Sequence, residues 1–424
     1  MGENRLHFVG RVSSRRHGAI VPRRRRFSPP LHAATPGIVR RGEDGIVSSK
    51  EDASNRGLRA GISAALLERT YRGAKVLVTG HTGFKGSWLT MWLAHLGAEV
   101  TGLSLPPDTK PSLFEEAGVA ELCRHELGDI RDLGRVTEVV KKSQPDFVFH
   151  LAAQALVRKS YADPTATLAT NIMGTAHVLE AVRTTRLRTH VVVVTSDKCY
   201  ENREWVHGYR EEDPMGGHDP YSMSKGAAEL VVSSYRRSYF HPEAFDRHGV
   251  ALASARAGNV IGGGDWAEDR LVPDLVTALS AGRPVPVRNP ASVRPWQHVL
   301  EPLGGYLLLG AHLKAEPTRY CAAYNFGPGL IGNVTVRELV EALLAAWGEG
   351  SWEDRSEPGA VHEAHLLRLA IDKANAELGF VPRWDARATI AATVDWYRSH
   401  ARGAKGKDLR AITLAQIRAY AEQG

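Results

Sequence analysis

Residues 75–89 read K-V-L-V-T-G-H-T-G-F-K-G-S-W-L, a strand-like run that opens onto three glycines. Glycines at this spacing let the chain turn tightly after a strand and let a phosphate approach the backbone closely. The apolar run Trp88–Leu96 behind them predicts a helix, whose N-terminal N–H groups and dipole favour an anion. An ordinary strand-to-helix loop would also fit a lone glycine pattern. Because a strand precedes it and a helix follows, we predict a dinucleotide-binding turn at Gly80, Gly83 and Gly86.

Strand-like and helix-like segments alternate after this turn. The strand-like runs are continuously apolar, which is typical of strands buried on both faces of a parallel sheet; they are 99–104, 147–151, 190–195 and 251–256. Helical patterns lie between them at 133–142, 165–184 and 224–238. This order predicts an α/β fold, a Rossmann-type doubly wound parallel sheet. From Gly262 the composition shifts towards Gly, Pro and Trp, which indicates a second, smaller C-terminal α/β lobe.

The N-terminal region differs from the rest in charge. Residues 1–60 hold 13 Lys/Arg against 5 Asp/Glu, whereas the remainder holds 41 against 42, so the net charge of +7 belongs to this leader. The run Arg23–Arg26 and the scarcity of apolar periodicity predict disorder. A transit peptide and a basic tail for acidic partners remain open, but we favour a start codon assigned too far upstream. Ordered structure is expected to begin near Ala64–Tyr71.

The near-neutral body argues against nucleic-acid binding. No apolar run reaches the roughly 18 residues needed to span a bilayer. Cys123, Cys199 and Cys321 lack metal-ligand or redox spacing, which predicts a reducing cytoplasmic location and no metal site. The predicted divisions are a disordered basic leader, a dinucleotide-binding domain, a lobe mainly for substrate with some return to the first domain, and a helical tail: 1–70, 71–260, 261–400 and 401–424.

Tyr221 and Lys225 stand four residues apart in P-Y-S-M-S-K-G-A-A-E and share one helix face. A nearby lysine favours the phenolate, which can remove a proton from a hydroxyl while hydride leaves the same carbon, and the lysine can also bind a nicotinamide ribose. Alone this spacing also fits a surface pair. A catalytic role for Tyr221 and Lys225 is supported by the sequence Thr195-Ser196-Asp197-Lys198. This sequence ends the preceding strand, where open α/β sheets bind ligands.

The chain resembles the extended short-chain dehydrogenase/reductase family. That resemblance rests on T-G-H-T-G-F-K-G, H-L-A-A-Q at 150–154 and Y-S-M-S-K at 221–225. It is closer still to CDP-glucose 4,6-dehydratases, through T-S-D-K-C-Y-E-N at 195–202, R-A-G-N-V-I-G-G-G-D-W at 256–266 and R-P-W-Q-H-V-L-E-P at 294–302. Several long motifs in the right order, from about Tyr71 to His400, are far more specific than any one of them.

The resemblance implies a redox-neutral, NAD-dependent dehydration of a nucleotide sugar. Tyr221 would take the proton of the 4-hydroxyl while hydride leaves C4, and Ser196 would hydrogen-bond that oxygen. Asp197 would protonate the departing 6-hydroxyl and Lys198 would remove the C5 proton; a solvated loop lysine is the other interpretation of Lys198. Hydride would then return to C6, and the 4-keto-6-deoxy product is a precursor for deoxysugars and polysaccharides.

The resemblance also implies a cofactor site, with Asp129 and Ile130 at the adenine. Its members are Gly80, Thr82, Gly83, Phe84, Lys85, Gly86, Asp129, Ile130, Leu151, Ala152, Ala153, Tyr221 and Lys225. One departure is the end of the second strand, Leu103-Ser104-Leu105, which lacks both the usual acid for the ribose and an arginine for a 2′-phosphate. The preference for NAD therefore depends on the resemblance.

The resemblance implies that the smaller C-terminal α/β lobe is the substrate-binding lobe. It makes Asn259, Arg288 and Arg294 candidates for binding the substrate diphosphate, since forked cationic donors suit phosphates. For each arginine a surface salt bridge remains open. The resemblance suggests a homodimer formed through helices of the cofactor domain. A UDP-, GDP- or dTDP-sugar dehydratase or an epimerase is the nearest alternative, but an epimerase has no use for the acid–base pair Asp197–Lys198. A non-catalytic NAD-binding regulator could dispense with Tyr221 or Lys225, and this chain keeps both.

Overall fold

The computed structural model describes residues 61–329, 333–356 and 366–423. The predicted leader is described only from Gly61, so its disorder and its possible roles lie outside the described residues. Helix α1 covers Ala64–Tyr71; the Ser63 hydroxyl caps it by accepting from the Leu66 N–H at 3.1 Å, and Leu67 and Tyr71 are buried. A packed helix therefore lies where structure was expected to begin, and the predicted boundary between residues 70 and 71 separates its last residue from the rest of the helix.

The strands are short and mostly buried. In chain order they are β1 (Lys75–Thr79), β2 (Glu99–Ser104), β3 (Arg124–Leu127), β4 (Phe147–His150), β5 (Thr189–Val194), β6 (Val250–Ala257), β7 (Val260–Ile261), β8 (Val285–Val287), β9 (Val293–Pro295), β10 (Gln297–His298), β11 (Ala323–Phe326), β12 (Asn333–Thr335) and β13 (Trp352–Asp354).

The helices after α1 connect these strands on both faces of the sheet. In chain order they are α2 (Phe84–His95), α3 (Leu113–Glu116), α4 (Leu133–Ser143), α5 (Val157–Ala162), α6 (Pro164–Leu168), α7 (Gly174–Thr185), α8 (Pro220–Ser238), α9 (Phe245–His248), α10 (Leu271–Ser280), α11 (Leu300–Ala315), α12 (Val336–Trp347), α13 (Asp372–Leu378), α14 (Ala386–Ala401) and α15 (Lys407–Ala421).

Seven parallel strands form one sheet in the order β11-β6-β5-β4-β1-β2-β3. The β1 strand lies near its middle, where Val76 pairs with Val100 of β2 and with Phe147 of β4. All residues of β4 and β6 are buried, as continuous apolar runs require. The predicted Rossmann-type doubly wound sheet is confirmed, and its strand order reverses beside β1, which is where such sheets bind ligands.

Three elements differ from the expectations. The pattern at 165–184 is interrupted by a π-helical turn at Ala169–Met173, from which Asn171 bonds Gln154 N at 2.8 Å and Ser224 Oγ at 2.8 Å. Strand β3 was not predicted, because an edge strand such as R-H-E-L needs no apolar run. Helix α11 is buried from Leu300 to Leu313 and apolar all round, so it shows no helical periodicity.

The chain beyond residue 261 does not stay in a separate lobe. Strand β11 pairs with β6 at the edge of the main sheet, and α11 packs on β5 and β6. Helix α15, predicted as a tail, contacts α2 and α14 and buries Tyr420, whose hydroxyl donates to Glu301 at 2.9 Å. The predicted second domain therefore returns extensively to the first.

Three further observations bear on the broad expectations. Within the described ranges, no helix is both long and apolar enough to cross a bilayer. The three cysteines are free thiols, and Cys199 is buried. In the same described residues, His, Cys, Asp and Glu side chains form no group of three that could hold a metal ion.

Candidate active site

Gly80 and Gly86 are fixed by packing within the protein. Gly80 has a φ of +78°, and a Cβ there would lie 2.7 Å from the Ala152 nitrogen. A Cβ at Gly86 would lie 2.0 Å from the Gly80 carbonyl oxygen. Side chains at either position would therefore separate β1 from the segment after β4 or from α2.

Gly83 is different, because its protein surroundings leave room. The nearest atom to a Cβ there would be the Gly80 oxygen at 3.4 Å, an ordinary contact distance. Gly83 is also the N-cap of α2, and no side-chain hydrogen bond caps that helix. The N–H groups of the first turn, which includes Phe84 and Lys85, are thus available to an anion that approaches over Gly83. These two features fit the diphosphate of a dinucleotide.

Thr82 joins the glycine turn to the end of β2. Its hydroxyl lies 2.7 Å from Ser104 Oγ and donates to the Leu105 carbonyl at 2.9 Å. Hydroxyls and backbone groups therefore occupy the strand end where an acid was missing from the sequence. The segment after β4, Leu151–Ala153, crosses above Gly80, and Ala152 N donates to Thr79 Oγ1 at 3.3 Å.

Asp129 and Ile130 follow β3 and differ in exposure. Asp129 pairs with Arg131, whose Nε donates at 2.8 Å, and this hydrogen bond lowers the pKa of the carboxyl. Ile130 is buried, and its side chain lies against Gly174 at the start of α7. At residue 130 the backbone groups and not the side chain could face an adenine.

Ser196, Asp197 and Lys198 form a short turn directly after β5. The turn is a 3₁₀ helix from Asp197 to Cys199, with Ser196 as its N-cap. Ser196 Oγ donates to Asp197 Oδ1 at 3.0 Å and accepts from Lys198 N at 3.2 Å. The Asp197 carboxyl is 5% exposed, and a Cβ at Gly258 would lie 2.7 Å from its Oδ2. We call residues 196–198 the catalytic turn.

Tyr221 and Lys225 face the catalytic turn from the first turns of α8. This helix begins after Asp219, whose carboxylate caps it by accepting from Ser222 N at 2.9 Å, and Pro220 occupies the first helical position. Tyr221 and Lys225 are both buried, and the Ser196 hydroxyl lies close enough to the Tyr221 hydroxyl to lower its pKa. The structure thus brings the five predicted catalytic residues to one edge of the sheet.

Burial dominates the proton affinities at this edge. It raises the pKa of Tyr221 to about 12, while the Ser196 hydrogen bond and the Arg270 charge act in the opposite direction. It lowers the pKa of Lys225 to about 8. It raises the pKa of Asp197, against the charge of Lys198. A raised pKa suits a carboxyl to act as a proton donor.

An arginine and a tyrosine at this edge, Arg270 and Tyr306, were not recognised as active-site groups from the sequence, and Lys85 was predicted only as a cofactor residue. Lys85 Nζ lies 3.4 Å from the buried Tyr306 hydroxyl, and its pKa is lowered to about 7 by burial and by the charges of Arg270 and Lys225. Arg270 precedes α10 and pairs with Asp265 at 2.7 Å. Arg270 lies in the sequence D-R-L-V-P-D at 269–274, whose periodicity gives no sign that the arginine side chain returns to Tyr221.

A buried carboxylate behind the catalytic turn was also missed. Glu229 is 4% exposed and accepts from Thr195 Oγ1 at 2.5 Å, Ser254 Oγ at 2.8 Å and Arg256 Nη2 at 2.8 Å. Arg256 also donates to the Tyr200 hydroxyl at 2.7 Å. The final glutamate of Y-S-M-S-K-G-A-A-E, one turn after the lysine, was the signal that could have identified it.

The predicted substrate residues are placed differently from one another. Asn259 follows Gly258 and is half-buried, next to the residue that contacts Asp197. Arg288 pairs with Asp269 at 2.8 Å and with Asp274 at 3.3 Å, so a diphosphate would have to compete with two carboxylates. Arg294 lies in β9, which pairs with β12.

Comparisons with known proteins cover the same part of the chain. A family model described as GDP-mannose 4,6 dehydratase matches residues 77–393. A CDP-glucose 4,6-dehydratase of Salmonella typhimurium is 49% identical over 336 residues, 78% of this chain and 93% of that protein. A dTDP-glucose 4,6-dehydratase of Streptomyces antibioticus is 33% identical, over 77% of this chain and 92% of that protein.

Solved structures include a dTDP-glucose 4,6-dehydratase of Streptomyces venezuelae with NAD bound. Its TM-score is 0.65 at 28% identity, and the match covers 76% of this chain and 97% of that chain. The family match begins inside β1 and ends inside α14. It therefore includes every candidate site residue.

Proposed function

The chain belongs to the GDP-mannose 4,6-dehydratase family, and from this membership we propose that it is a hydro-lyase that converts CDP-D-glucose to CDP-4-dehydro-6-deoxy-D-glucose. The observation that carries the proposal is the buried Asp197 carboxyl beside Tyr221 and Ser196. An epimerase that only oxidises and reduces C4 needs Tyr221 and Lys225 but does not need a further acid beside them. A dehydratase must protonate a leaving hydroxyl.

NAD is the cofactor that we assign. The open space over Gly83 and the uncapped start of α2 fit its diphosphate, and Gly80 and Gly86 keep the backbone close enough to bind it. We assign the side chains of Lys225 and Tyr221 to its nicotinamide end. When bound, NAD would accept hydride from C4 of the sugar and return it to C6.

Tyr221 is the proposed base for the 4-hydroxyl. Burial raises its pKa, so formation of the phenolate depends on the Ser196 hydroxyl and the Arg270 charge, which lower that pKa. We propose that the ammonium of Lys225, one helical turn away, acts in the same direction. Ser196 would hydrogen-bond the same sugar oxygen and hold it in line with the tyrosine. A ketone at C4 then makes the C5 proton acidic.

Asp197 and Lys198 are the proposed acid and base for loss of water. Lys198 would take the proton from C5 and Asp197 would give its proton to the departing 6-hydroxyl, so that the C5–H and C6–O bonds break and a water molecule forms. Gly258 leaves room for the Asp197 carboxyl, and Ser196 orients it. Both groups come from the catalytic turn, so one local geometry would govern both proton transfers.

We propose that Asn259, Arg288 and Arg294 bind the diphosphate of the substrate. Asn259 is the best supported, because its neighbour Gly258 contacts Asp197. For Arg288 the supporting feature is its guanidinium, which could exchange the carboxylates of Asp269 and Asp274 for phosphate oxygens.

A panel of nucleotide sugars tests the substrate. Purified protein would be incubated with CDP-, UDP-, GDP- and dTDP-glucose, with and without added NAD, and the products analysed for a 4-keto-6-deoxy sugar by mass spectrometry. We expect turnover of CDP-glucose and at most slow turnover of the others. Consumption of another nucleotide sugar, with CDP-glucose left intact, would reject the CDP assignment and favour the alternative dehydratases.

The proposed base is tested by Lys198→Ala. This variant should oxidise C4 and accumulate reduced nicotinamide absorbance, since Tyr221 and Lys225 are intact, but should lose water about a hundredfold or more slowly. Lys159→Ala, on α5, replaces a lysine outside the catalytic turn and is the control. Normal dehydration by Lys198→Ala would assign the base to another group.

We also propose a homodimer in the cytoplasm. Met173, Met223 and Leu230 are apolar and exposed on the π-helical turn and α8, and Tyr161 on α5 is exposed nearby in the chain. Exposed apolar groups that cluster on a surface favour association. The free thiols support a reducing compartment. Light scattering should give the dimer mass for the wild type and the monomer mass for Leu230→Asp.

A further inference from the structure

We propose that Glu229 is a positioning residue for the reaction, which fixes the strand end that carries the catalytic turn and supplies the negative charge that keeps Lys225 an ammonium ion. The inference rests on the proposed function, because it concerns residues assigned there to the chemistry. Glu229 itself lies behind the catalytic turn and contacts none of the reacting atoms assigned above.

The two oxygens of Glu229 hold different elements together. Oε1 accepts from Thr195 at 2.5 Å, and Thr195 directly precedes the catalytic turn. Oε2 accepts from Ser254 and from Arg256, both on β6 and both at 2.8 Å. The carboxylate therefore ties α8, which carries Tyr221 and Lys225, to the ends of β5 and β6. A shift of the Glu229 side chain would therefore move Tyr221 on α8 relative to Asp197 in the catalytic turn.

Glu229 remains an anion despite its burial. Desolvation would raise the pKa of this carboxyl, but the charge and hydrogen bond of Arg256 and the hydroxyl donors Thr195 and Ser254 lower it below its ordinary value. The Arg256 guanidinium is buried with it and is held in turn by the Tyr200 hydroxyl and the Glu211 carbonyl. A permanent negative charge thus lies one helical turn from Lys225.

Lys225 needs that charge, because burial alone lowers its pKa. Four titratable groups interact with Lys225. They are Cys199, which directly follows the catalytic turn, Glu229 on the same helix, His150 on β4 and Lys85 on α2. Burial raises the pKa of the Cys199 thiol well above its usual value and lowers that of His150 to about 3, so both are neutral at physiological pH. Lys85 is of the same sign as Lys225. Among these four groups, Glu229 is the anion that remains.

The test compares Glu229→Gln with Glu229→Asp. Loss of the charge in E229Q, next to an Arg256 that keeps its own, should move the protonation midpoint of Lys225 to lower pH by about one unit. The alkaline limb of reduced-nicotinamide formation should move in the same direction. E229D keeps the charge on a shorter side chain, so it should lose rate and stability but keep both midpoints.

The midpoint of Lys225 is measured without turnover, by trace labelling with acetic anhydride across pH and quantification of the Lys225 peptide by mass spectrometry. Glu211→Gln is the matched control: Glu211 is a partly buried carboxyl that bonds Asn325 N at 2.8 Å and interacts with Arg256, but is not among the groups that act on Lys225. It should leave the midpoint unchanged.

Unchanged midpoints in E229Q, or equal shifts in E229D and E229Q, would overturn the charge role. Thr195→Val serves if E229Q does not fold; it removes the donor to Oε1, so the rate should fall about tenfold with no shift of midpoint, and an unchanged rate would overturn the positioning role. A shifted midpoint in a protein that dehydrates none of the nucleotide sugars would support the charge coupling and reject the proposed function.

Discussion

Asp197 and Glu229 are two buried carboxyls near the end of β5, and they are almost equally shielded from water, at 5% and 4% exposure. Their surroundings push them in opposite directions. Asp197 is bonded by the hydroxyl of its own neighbour, Ser196, and burial raises its pKa. Glu229 accepts from three donors that include a guanidinium, and its pKa is lowered.

The contrast teaches that burial does not decide what a carboxyl does in this site; the donors around it decide. With few donors the neutral form is favoured, and the group can give a proton to a leaving hydroxyl. With three donors the anion is favoured, and the group can hold a helix, two strands and a lysine in place. A single strand end thus supports a proposed acid and a fixed charge.

The proposed role of Asp197 as an acid is tested by the substitution from which we expect the greatest loss of rate. Asp197→Asn keeps the shape of the side chain but has no proton to donate, so loss of water should slow about a thousandfold. Oxidation at C4 should continue, because Tyr221 and Lys225 are unchanged. Rapid-mixing absorbance of the reduced nicotinamide, followed by product analysis, separates the two steps. Dehydration by the variant at the wild-type rate would remove Asp197 from the mechanism.

The role of Glu229 as a fixed buried charge is tested by Arg256→Met, which leaves Glu229 buried without its positively charged partner. Breaking a buried pair in this way should cost about 3–5 kcal/mol of unfolding free energy, measured by urea denaturation. Arg183→Met is the control, because Arg183 pairs with Glu180 at 2.6 Å on an exposed helix face and should change stability by less than about 1 kcal/mol. Equal losses in both variants would mean that burial adds nothing.

A smaller effect is expected from Gly258→Ala. The new Cβ would lie 2.7 Å from Asp197 Oδ2 and would displace the carboxyl, so the water-loss step should slow about tenfold or more, with less effect on C4 oxidation. Gly329→Ala is the matched control, since nothing lies within 4 Å of a Cβ there. The Asp197 geometry would prove unimportant if both alanine variants dehydrated at the same rate.

Much of this site could be predicted from the sequence because its residues fall into short local motifs. The glycines 80, 83 and 86, the triple at 196–198 and the pair Tyr221–Lys225 each lie within a segment of seven residues or fewer. The strand order places these segments at the same sheet edge. The second strand, predicted at 99–104, matches β2 residue for residue.

The groups that tune the site were not predictable in this way. Ser254 was predicted only as part of the strand 251–256, and Arg256 as part of that strand and of the family motif at 256–266. Neither pattern reveals that their side chains bond Glu229. Lys85 was assigned to the cofactor from the family pattern, whereas its contact with Tyr306 depends on α11, a helix whose apolar sequence hides its periodicity. Contacts between segments that are distant in the sequence can be identified only when the fold is known.

The pKa shifts of the two carboxyls also predict a small effect on the free energy of unfolding. Because the two shifts have opposite directions, the two carboxyls should affect its pH dependence in opposite ways. The folded state holds the proton of Asp197 more tightly than the unfolded chain, so ionisation as the pH rises through the unfolded value of about 3.9 costs stability. Asp197→Asn should therefore be more stable than the wild type by about 1 kcal/mol near neutral pH and should lose that advantage below about pH 4.

Glu229 should give the reverse dependence. Its folded pKa is lowered, so its contribution to stability is present above the unfolded value and is lost as the pH falls through the folded one. Urea denaturation of wild type, Asp197→Asn and Glu229→Gln at about pH 4 and about pH 7 should show the wild type between the two variants at neutral pH and a narrower spread in acid. If both variants were destabilised in parallel at both pH values, the two carboxyls would share one environment, and the donors around Glu229 would not be what separates a fixed charge from an acid.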